Sequence, residues 1–231
     1  SNFHFYRINY RPAQKVFSFS DPAAFLKEVE KKVNPDCVFT TSGPAYWRPK
    51  APHVMGFNLP HYLYKDSPFY KLIPFVERVR WSLKGVVIKY YSKRDADAYV
   101  VQTEDVNKRL GNWIGNNKIF TVSNTYGSQY ALEKPQKKLL PEKEEGEFRL
   151  LILSGYYRHK NLDILNAIAN QLRKCSEKNI KFILTLPKED YGNLIDKDYR
   201  SRIQNIGPLK PEECPQIYRE CDAIFLPTLL E

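Results

Sequence analysis

Residues 149–174 read RLLILSGYYRHKNLDILNAIANQLRK. The apolar run that ends at Ser154 predicts a buried strand, and Gly155 permits a tight turn after it. Leu162, Leu165, Ile168 and Leu172 then recur at helical spacing behind Asn161, a fitting N-cap. The loop between strand and helix carries Arg158, His159 and Lys160 to the helix start. Backbone N–H groups and the helix dipole favour an anion there, and two cations beside them suit a phosphate or pyrophosphate. The other reading of the same loop is a solvated basic turn. One glycine is too few for a G-x-G-x-x-G or P-loop motif.

The same alternation extends outward. Downstream come KFILTL (181–186), a polar helix-like stretch, RIQNIG (202–207), PEECPQIYREC (211–221) and DAIFLPT (222–228). Strands alternating with helices predict a parallel sheet covered on both faces. Upstream, HFYRI (4–8), CVFTTS (37–42), HVMGF (53–57), AYVVQT (98–103) and KIFTVS (118–123) are strand candidates, with helices near 22–33, 74–93 and 104–113. Between the halves, ALEKPQKKLLPEKEEGE (131–147) has two prolines, a glycine and dense mixed charge, which reads as a hinge. The expected organisation is an N-terminal domain over 1–135, a linker over 136–147 and a C-terminal domain over 148–231. The fold class is α/β with two mostly parallel sheets. Each sheet is expected to be incomplete, because the second half shows four strands where a nucleotide-binding sheet commonly has about six.

Composition narrows the function classes. No run approaches a spanning helix, and SNFHFYRINY lacks the apolar stretch of a signal peptide, so a cytoplasmic protein is expected. Cys37, Cys175, Cys214 and Cys221 form no C-x-x-C pair and have no histidine at metal spacing; neither zinc nor a disulfide framework is indicated. The net charge of +10 is concentrated upstream: residues 60–94 hold Lys65, Lys71, Arg78, Arg80, Lys84, Lys89, Lys93 and Arg94 against only Asp66 and Glu77. From Pro74, a suitable first helical residue, Val76, Val79, Leu83, Val86 and Tyr90 make one apolar stripe, with Arg78, Lys84 and Lys89 away from it. That helix either packs its stripe on the first domain's sheet or meets an anionic membrane surface. Nucleic acid is not an expected partner, since the charge clusters on one helix and the aromatics match no RNA-recognition signature.

From Gly155 to the end, the chain resembles the second domain of family 4 glycosyltransferases of the GT-B fold. Gly155 and Lys160-Asn161 match the first part of that pattern; Gly207, Leu209, Tyr218, Asp222, Pro227, Thr228 and Glu231 match the second in order and spacing. DAYVVQTEDVNKRL followed by KIFTVSNTYG resembles the last part of the family's first domain. The resemblance implies two Rossmann-like domains with a nucleotide-diphosphate sugar bound in the cleft between them. Lys160 and Arg158 would neutralise the pyrophosphate, with Gly155 and Tyr156 in the donor turn; Tyr156 stands where many members carry an arginine. Gly207 and Leu209 would meet the nucleobase, and Pro227 and Thr228 would shape the sugar pocket. Glu231 would be the first carboxylate of an E-x7-E pair whose second member lies past the chain, so the resemblance also implies a longer enzyme. It implies transfer with retention, no metal and no cofactor.

On the acceptor side, aligning APHVMGFNLPH (51–61) with the family's strand places Asn58 where many members have a histidine, with His61 three residues on. Asn58 can hold a sugar hydroxyl but is no base. TTSGPAYWRPKAP (40–52) follows a strand, and Tyr46 and Trp47 on it suit carbohydrate stacking. His53 and His4 read as structural. The expected activity is sugar transfer to a glycan or lipid-linked glycan in cell-surface polysaccharide synthesis, peripheral at the inner face of the cell membrane. A sugar-nucleotide epimerase or hydrolase of the same fold, and a basic nucleic-acid binder, are the alternatives.

Overall fold

The computed structural model describes residues 3–10, 12–15, 21, 23–131, 137–174 and 179–230. In chain order these form α1 (Pro12–Lys15), α2 (Ala24–Val33), β1 (Val38–Thr40), β2 (His53–Gly56), α3 (Phe69–Leu72), α4 (Phe75–Asp95), β3 (Ala98–Val101), α5 (Glu104–Ile114) and β4 (Ile119–Thr121). Then follow β5 (Glu147–Ile152), α6 (Ile164–Lys174), β6 (Asn179–Leu184), α7 (Lys188–Leu194), β7 (Ile203–Asn205), α8 (Cys214–Glu220) and β8 (Ala223–Ile224). The chain divides into two units, one of residues 1–66 and 70–124, the other of residues 67–69 and 125–231.

In the first unit β1, β2, β3 and β4 lie side by side in that order, all parallel. The register sets Met55 opposite Tyr99 and Tyr99 opposite Ile119. Since alternate side chains point to one face, Met55, Tyr99, Val101 and Ile119 share the covered face with Leu110 and Ile114 of α5. Helix α5 is well delimited. The Thr103 side chain accepts the Val106 N–H at 3.3 Å, Glu104 and Asp105 occupy the first turn, and Gly115 ends the helix in the left-handed region. The opposite sheet face differs from the two-sided cover that alternation predicts: Phe39 and Phe120 remain 58% and 59% exposed. HFYRI forms no strand, and Phe3 and Phe5 are exposed. Without a paired neighbour, an extended segment leaves its backbone groups to water and gains nothing from strand geometry.

The second unit has the order β7-β6-β5-β8, again all parallel. Helices cover both faces here. Ile152, Phe182 and Leu184 pack with Leu162, Leu165 and Ala169 on one side, while Leu151 and Ile183 pack with Leu140 and Ile217 on the other. The segment expected as a linker packs into this unit. The N–H groups of Leu139 and Leu140 donate to the Glu220 carboxylate, Leu140 is buried, and Lys143 pairs with Asp222 at 2.5 Å. At the start of β5, Arg149 and Lys181 flank the buried Glu147 carboxylate.

The strand order has a functional consequence. From β5 the chain winds one way through β6 to β7, then returns to place β8 on the other flank of β5. That reversal is a topological switch point, and ligands of open α/β sheets bind outside the strand C-terminal ends at such points. The loops after β5 and β8 meet there. In the first unit the described strands follow one another without a reversal.

Candidate functional site

After β5 the chain runs through Ser154, Gly155, Tyr156 and Tyr157 into a single 3₁₀ turn, Arg158–Lys160. Asn161 is not the N-cap of α6. It ends the 3₁₀ turn in the left-handed region (φ 54°), and α6 begins three residues later at Ile164. Its side chain reaches across to the β8 loop instead, where Nδ2 donates to the carbonyl of Pro227 at 3.2 Å. Beside it, the N–H of Leu229 donates to the His159 carbonyl at 2.8 Å. Two hydrogen bonds therefore tie the cationic turn to the loop that leaves β8, across the switch point. Among the residues expected for the donor site, Arg158, Lys160, Pro227 and Thr228 are brought together in this way. Glu231 lies outside the described residues, as does Cys175.

Tyr156 and Tyr157 shape the outer wall of the turn. Burial and the neighbouring Asp163 carboxylate, which accepts from the Tyr156 hydroxyl at 3.2 Å, push the Tyr156 phenol above its ordinary value. The Tyr157 ring stacks on His159 with centroids 5.6 Å apart and 15° between planes. A Cβ at Gly155 would fall 2.9 Å from the Tyr157 ring, so glycine there allows the two rings their arrangement. Gly207, after β7, adopts φ 81°, a conformation that glycine reaches without strain. Leu209 turns its side chain onto the core of Leu140, Leu151, Ile183 and Ile217. In DAIFLPT the pairing of Ala223 and Ile224 with β5 is flanked by hydrogen bonds from the Asp222 and Phe225 N–H groups to the Arg149 and Leu151 carbonyls, and Leu226 to Leu230 form the loop that meets the 3₁₀ turn.

On the first unit, the acceptor-side candidates separate. The Ser42 hydroxyl donates to Asn58 Oδ1 at 2.7 Å, joining the loops after β1 and β2 at the strand C-terminal ends. Tyr46 and Trp47 lie elsewhere. The chain doubles back toward the start of β2, where Arg48 pairs with Asp97 at 2.5 Å and Tyr46 packs on Tyr91 of α4 at 4.9 Å. Trp47 is buried at 8% exposure, so it presents no ring face to a sugar. A loop that must return to the other end of the sheet carries its middle residues away from the strand tips, which spacing alone does not reveal. His53 is fully buried between Thr40 Oγ1 (2.8 Å) and the Asp95 carbonyl, as a structural residue is.

His61 does not join Asn58. It sits in a 3₁₀ turn, Pro60–Tyr62, with its ring 4.7 Å from Trp81 of α4, and there lines a cavity of about 460 Å³ with Lys65, Arg78, Trp81, Lys89 and Trp113. Two of the three basic residues singled out on α4 thus meet His61; Lys84 lies on the far flank of the helix. The apolar stripe faces solvent: Val76, Val79, Leu83, Val86 and Tyr90 are 42% to 78% exposed. The sheet side of α4 instead carries Gly85, Ile88, Ser92 and Asp95. Tyr99 locks that orientation by donating its hydroxyl to the Ser92 carbonyl at 2.8 Å.

Among the described residues there is no group of three or more His, Cys, Asp or Glu side chains placed to hold a metal ion, and no helix is long and apolar enough to cross a membrane.

Two Rossmann-like units of four parallel strands each, with loops gathered at strand C-terminal ends, define a fold of the GT-B type. No family model matches the chain, and no curated protein matches it significantly. Solved structures do. The crystal structure of TarM superposes with a TM-score of 0.61 at 16% identity, over 92% of this chain and 41% of that one. The Staphylococcus aureus MnaA–UDP structure gives 0.54 at 14% identity, over 86% of this chain and 54% of that one. A single-residue mutant of S. aureus TarM, in complex with fondaparinux, α-GlcNAc-glycerol and UDP, gives 0.55 at 15% identity, over 90% and 45%. The chain spans about half the length of the structures it matches.

Proposed function

We propose that this chain forms part of a retaining glycosyltransferase that moves a sugar from a nucleotide-diphosphate donor to a glycan or lipid-linked glycan acceptor. The observation that carries the proposal is the pinned switch point, where Leu229 and Asn161 hold the Arg158–Lys160 turn against the loop after β8. Such a place presents backbone N–H groups and cations to a diphosphate. Lys160 and Arg158 would stabilise the nucleotide diphosphate as negative charge builds on it in the transition state. Basic side chains then take the role a divalent ion has in other transferases, so the reading calls for no metal and no cofactor. Gly207 and Leu209 would offer backbone to the base, and Pro227, Thr228 and Glu231 would hold the sugar. Asn58, tethered by Ser42, would bind an acceptor hydroxyl on the first unit. Two of the similar structures hold UDP, one of them together with an α-linked GlcNAc-glycerol. A lipid-linked acceptor would place the enzyme at the inner face of the cell membrane.

The test is calorimetric titration of the chain with UDP, GDP and ADP, repeated with Lys160→Ala. The expected result is saturable binding of one nucleotide, weakened in the variant by about 1 to 3 kcal/mol. Failure to bind any of the three, both by this chain and by one extended past Glu231, overturns the proposal. Incubation of a nucleotide sugar without acceptor separates the epimerase and hydrolase alternatives, since only those consume the donor.

A further inference from the structure

Helix α4 has a buried side and, opposite it, an exposed apolar one. Gly85, Ile88, Ser92 and Asp95 recur at i, i+3, i+7 and i+10 and are buried against the first unit. Val76, Val79, Leu83, Val86 and Tyr90 recur at the same spacing and are exposed. At about 100° per residue the two sets centre about 180° apart, so the stripe points straight away from the unit that holds the helix. Along its flanks lie Arg78, Lys89 and Lys93 on one side and Arg80 and Lys84 on the other. An apolar stripe bordered by cations on both sides is the arrangement of a helix lying in a membrane interface, with side chains in the acyl boundary and ammonium groups at headgroup level.

The cavity beside the helix adds a second observation. Lys65, Arg78 and Lys89 line it, and none of the three forms an ion pair among the described residues. Its walls are aromatic: His61 on Trp81 at 4.7 Å, Tyr62 stacked with Trp113 at 6.3 Å, and Lys89 Nζ 5.9 Å from the Trp113 ring centre. Val86 belongs both to this lining and to the exposed stripe, so the cavity opens at the stripe's edge. Within residues 60–94 the acids are Asp66 and Glu77, against eight basic residues, and Asp66 pairs with Arg109 at 3.1 Å. An anionic headgroup seated among the three cations would leave its acyl chains at the stripe.

We infer that the first unit docks on an anionic lipid bilayer through the Val76–Tyr90 stripe of α4 and seats a phosphate-bearing lipid headgroup in the Lys65/Arg78/Lys89 cavity. The docking is independent of the donor-site reading, because it uses no residue of the second unit.

The experiment is co-sedimentation of the 231-residue chain with vesicles of phosphatidylcholine, with and without phosphatidylglycerol, alongside the intrinsic fluorescence of its three tryptophans, of which Trp81 and Trp113 line the cavity and Trp47 is buried elsewhere. Expected are binding only to the anionic vesicles, a blue shift on binding, and a loss of affinity of roughly tenfold or more in Arg78→Glu/Lys89→Glu and in Val79→Asp/Leu83→Asp. Arg78, Val79 and Leu83 are exposed and Lys89 stands half-buried at the cavity wall beside Trp113, so the variants should keep the parent's circular dichroism and, within a few degrees, its melting temperature. Glycerol phosphate added in excess distinguishes the headgroup from a soluble anion. If it binds the cavity as tightly as the vesicles do, the lipid assignment is overturned. Equal loss from Arg80→Glu/Lys84→Glu, on the other flank, overturns the cavity. The whole inference is overturned if the chain ignores both vesicle types, or if sedimentation velocity shows a dimer that Leu83→Asp dissolves, for then the stripe is a contact between copies.

Discussion

Asn161 offers the sharpest test of how the candidate donor site is held together. Its backbone sits at φ 54°, and its Nδ2 bonds the Pro227 carbonyl at 3.2 Å from a half-buried position. Replacing it by alanine removes one hydrogen bond, about 1 kcal/mol, and obliges a residue with a plain Cβ to adopt a left-handed conformation, about 1 kcal/mol more. Asn161→Gly loses the bond but not the conformation, since glycine adopts positive φ freely. The expected destabilisation is therefore about 2 kcal/mol for alanine and about 1 kcal/mol for glycine. For a chain of this size each kcal/mol lowers the melting temperature by about 2 to 4 °C. Scanning calorimetry of the parent and both variants reads the difference directly. In the presence of nucleotide both variants should bind more weakly than the parent, because the loop after β8 is no longer tied to the cationic turn. A glycine variant less stable than the alanine one would refute the conformational argument. Glycine and alanine variants that bind nucleotide as well as the parent would refute the tether.

Other expectations follow from the same geometry. Glu147 is buried; that burial would raise its carboxyl, but Lys181 and Arg149 hold it down at about 2 against an ordinary 4.5. A folded value below the unfolded one contributes stability above pH 4.5 that is lost as the pH falls toward 2, at most on the order of 3 kcal/mol. Urea unfolding between about pH 6 and about pH 3 should show that fall, and Glu147→Gln should flatten it. In the first unit, a Cβ at Gly56 would lie 2.3 Å from the Thr41 carbonyl oxygen, a backbone atom with no room to yield. Gly56→Ala should thus lower the stability of that unit by several kcal/mol in thermal unfolding, whereas Gly192→Ala, which meets nothing within 4 Å, should not. Burial pushes the Cys221 thiol up to about 11, while Cys37 is exposed. Iodoacetamide at neutral pH should label Cys37 well before Cys221, as peptide mass spectrometry would show.

Much of this protein was legible from local pattern. The strand and helix alternation from β5 onward, the α5 helix near 104–113, and the cationic turn after β5 all rest on interactions within a few residues, which spacing and residue type report. The remainder depended on partners far along the chain. That Asn161 would reach Pro227 rather than cap α6 depends on β8 returning beside β5, 66 positions away. HFYRI has strand composition but pairs with no strand among the described residues. Trp47 looked suited to a sugar, yet its loop must travel back to the start of β2 and buries the ring on the way.

The amino-acid sequence by itself determined that both halves would be α/β, that a basic turn would follow β5, and that α4 would carry one apolar stripe edged with cations. Only the tertiary structure decided the strand order that creates a switch point between β5 and β8, and which side of α4 would meet the sheet. Periodicity marks an apolar stripe but cannot say what covers it. Here the small Gly85 fits against Tyr62 of the 3₁₀ turn Pro60–Tyr62, Ile88 is buried, the Ser92 carbonyl receives Tyr99 from the sheet, and the larger stripe is left facing out.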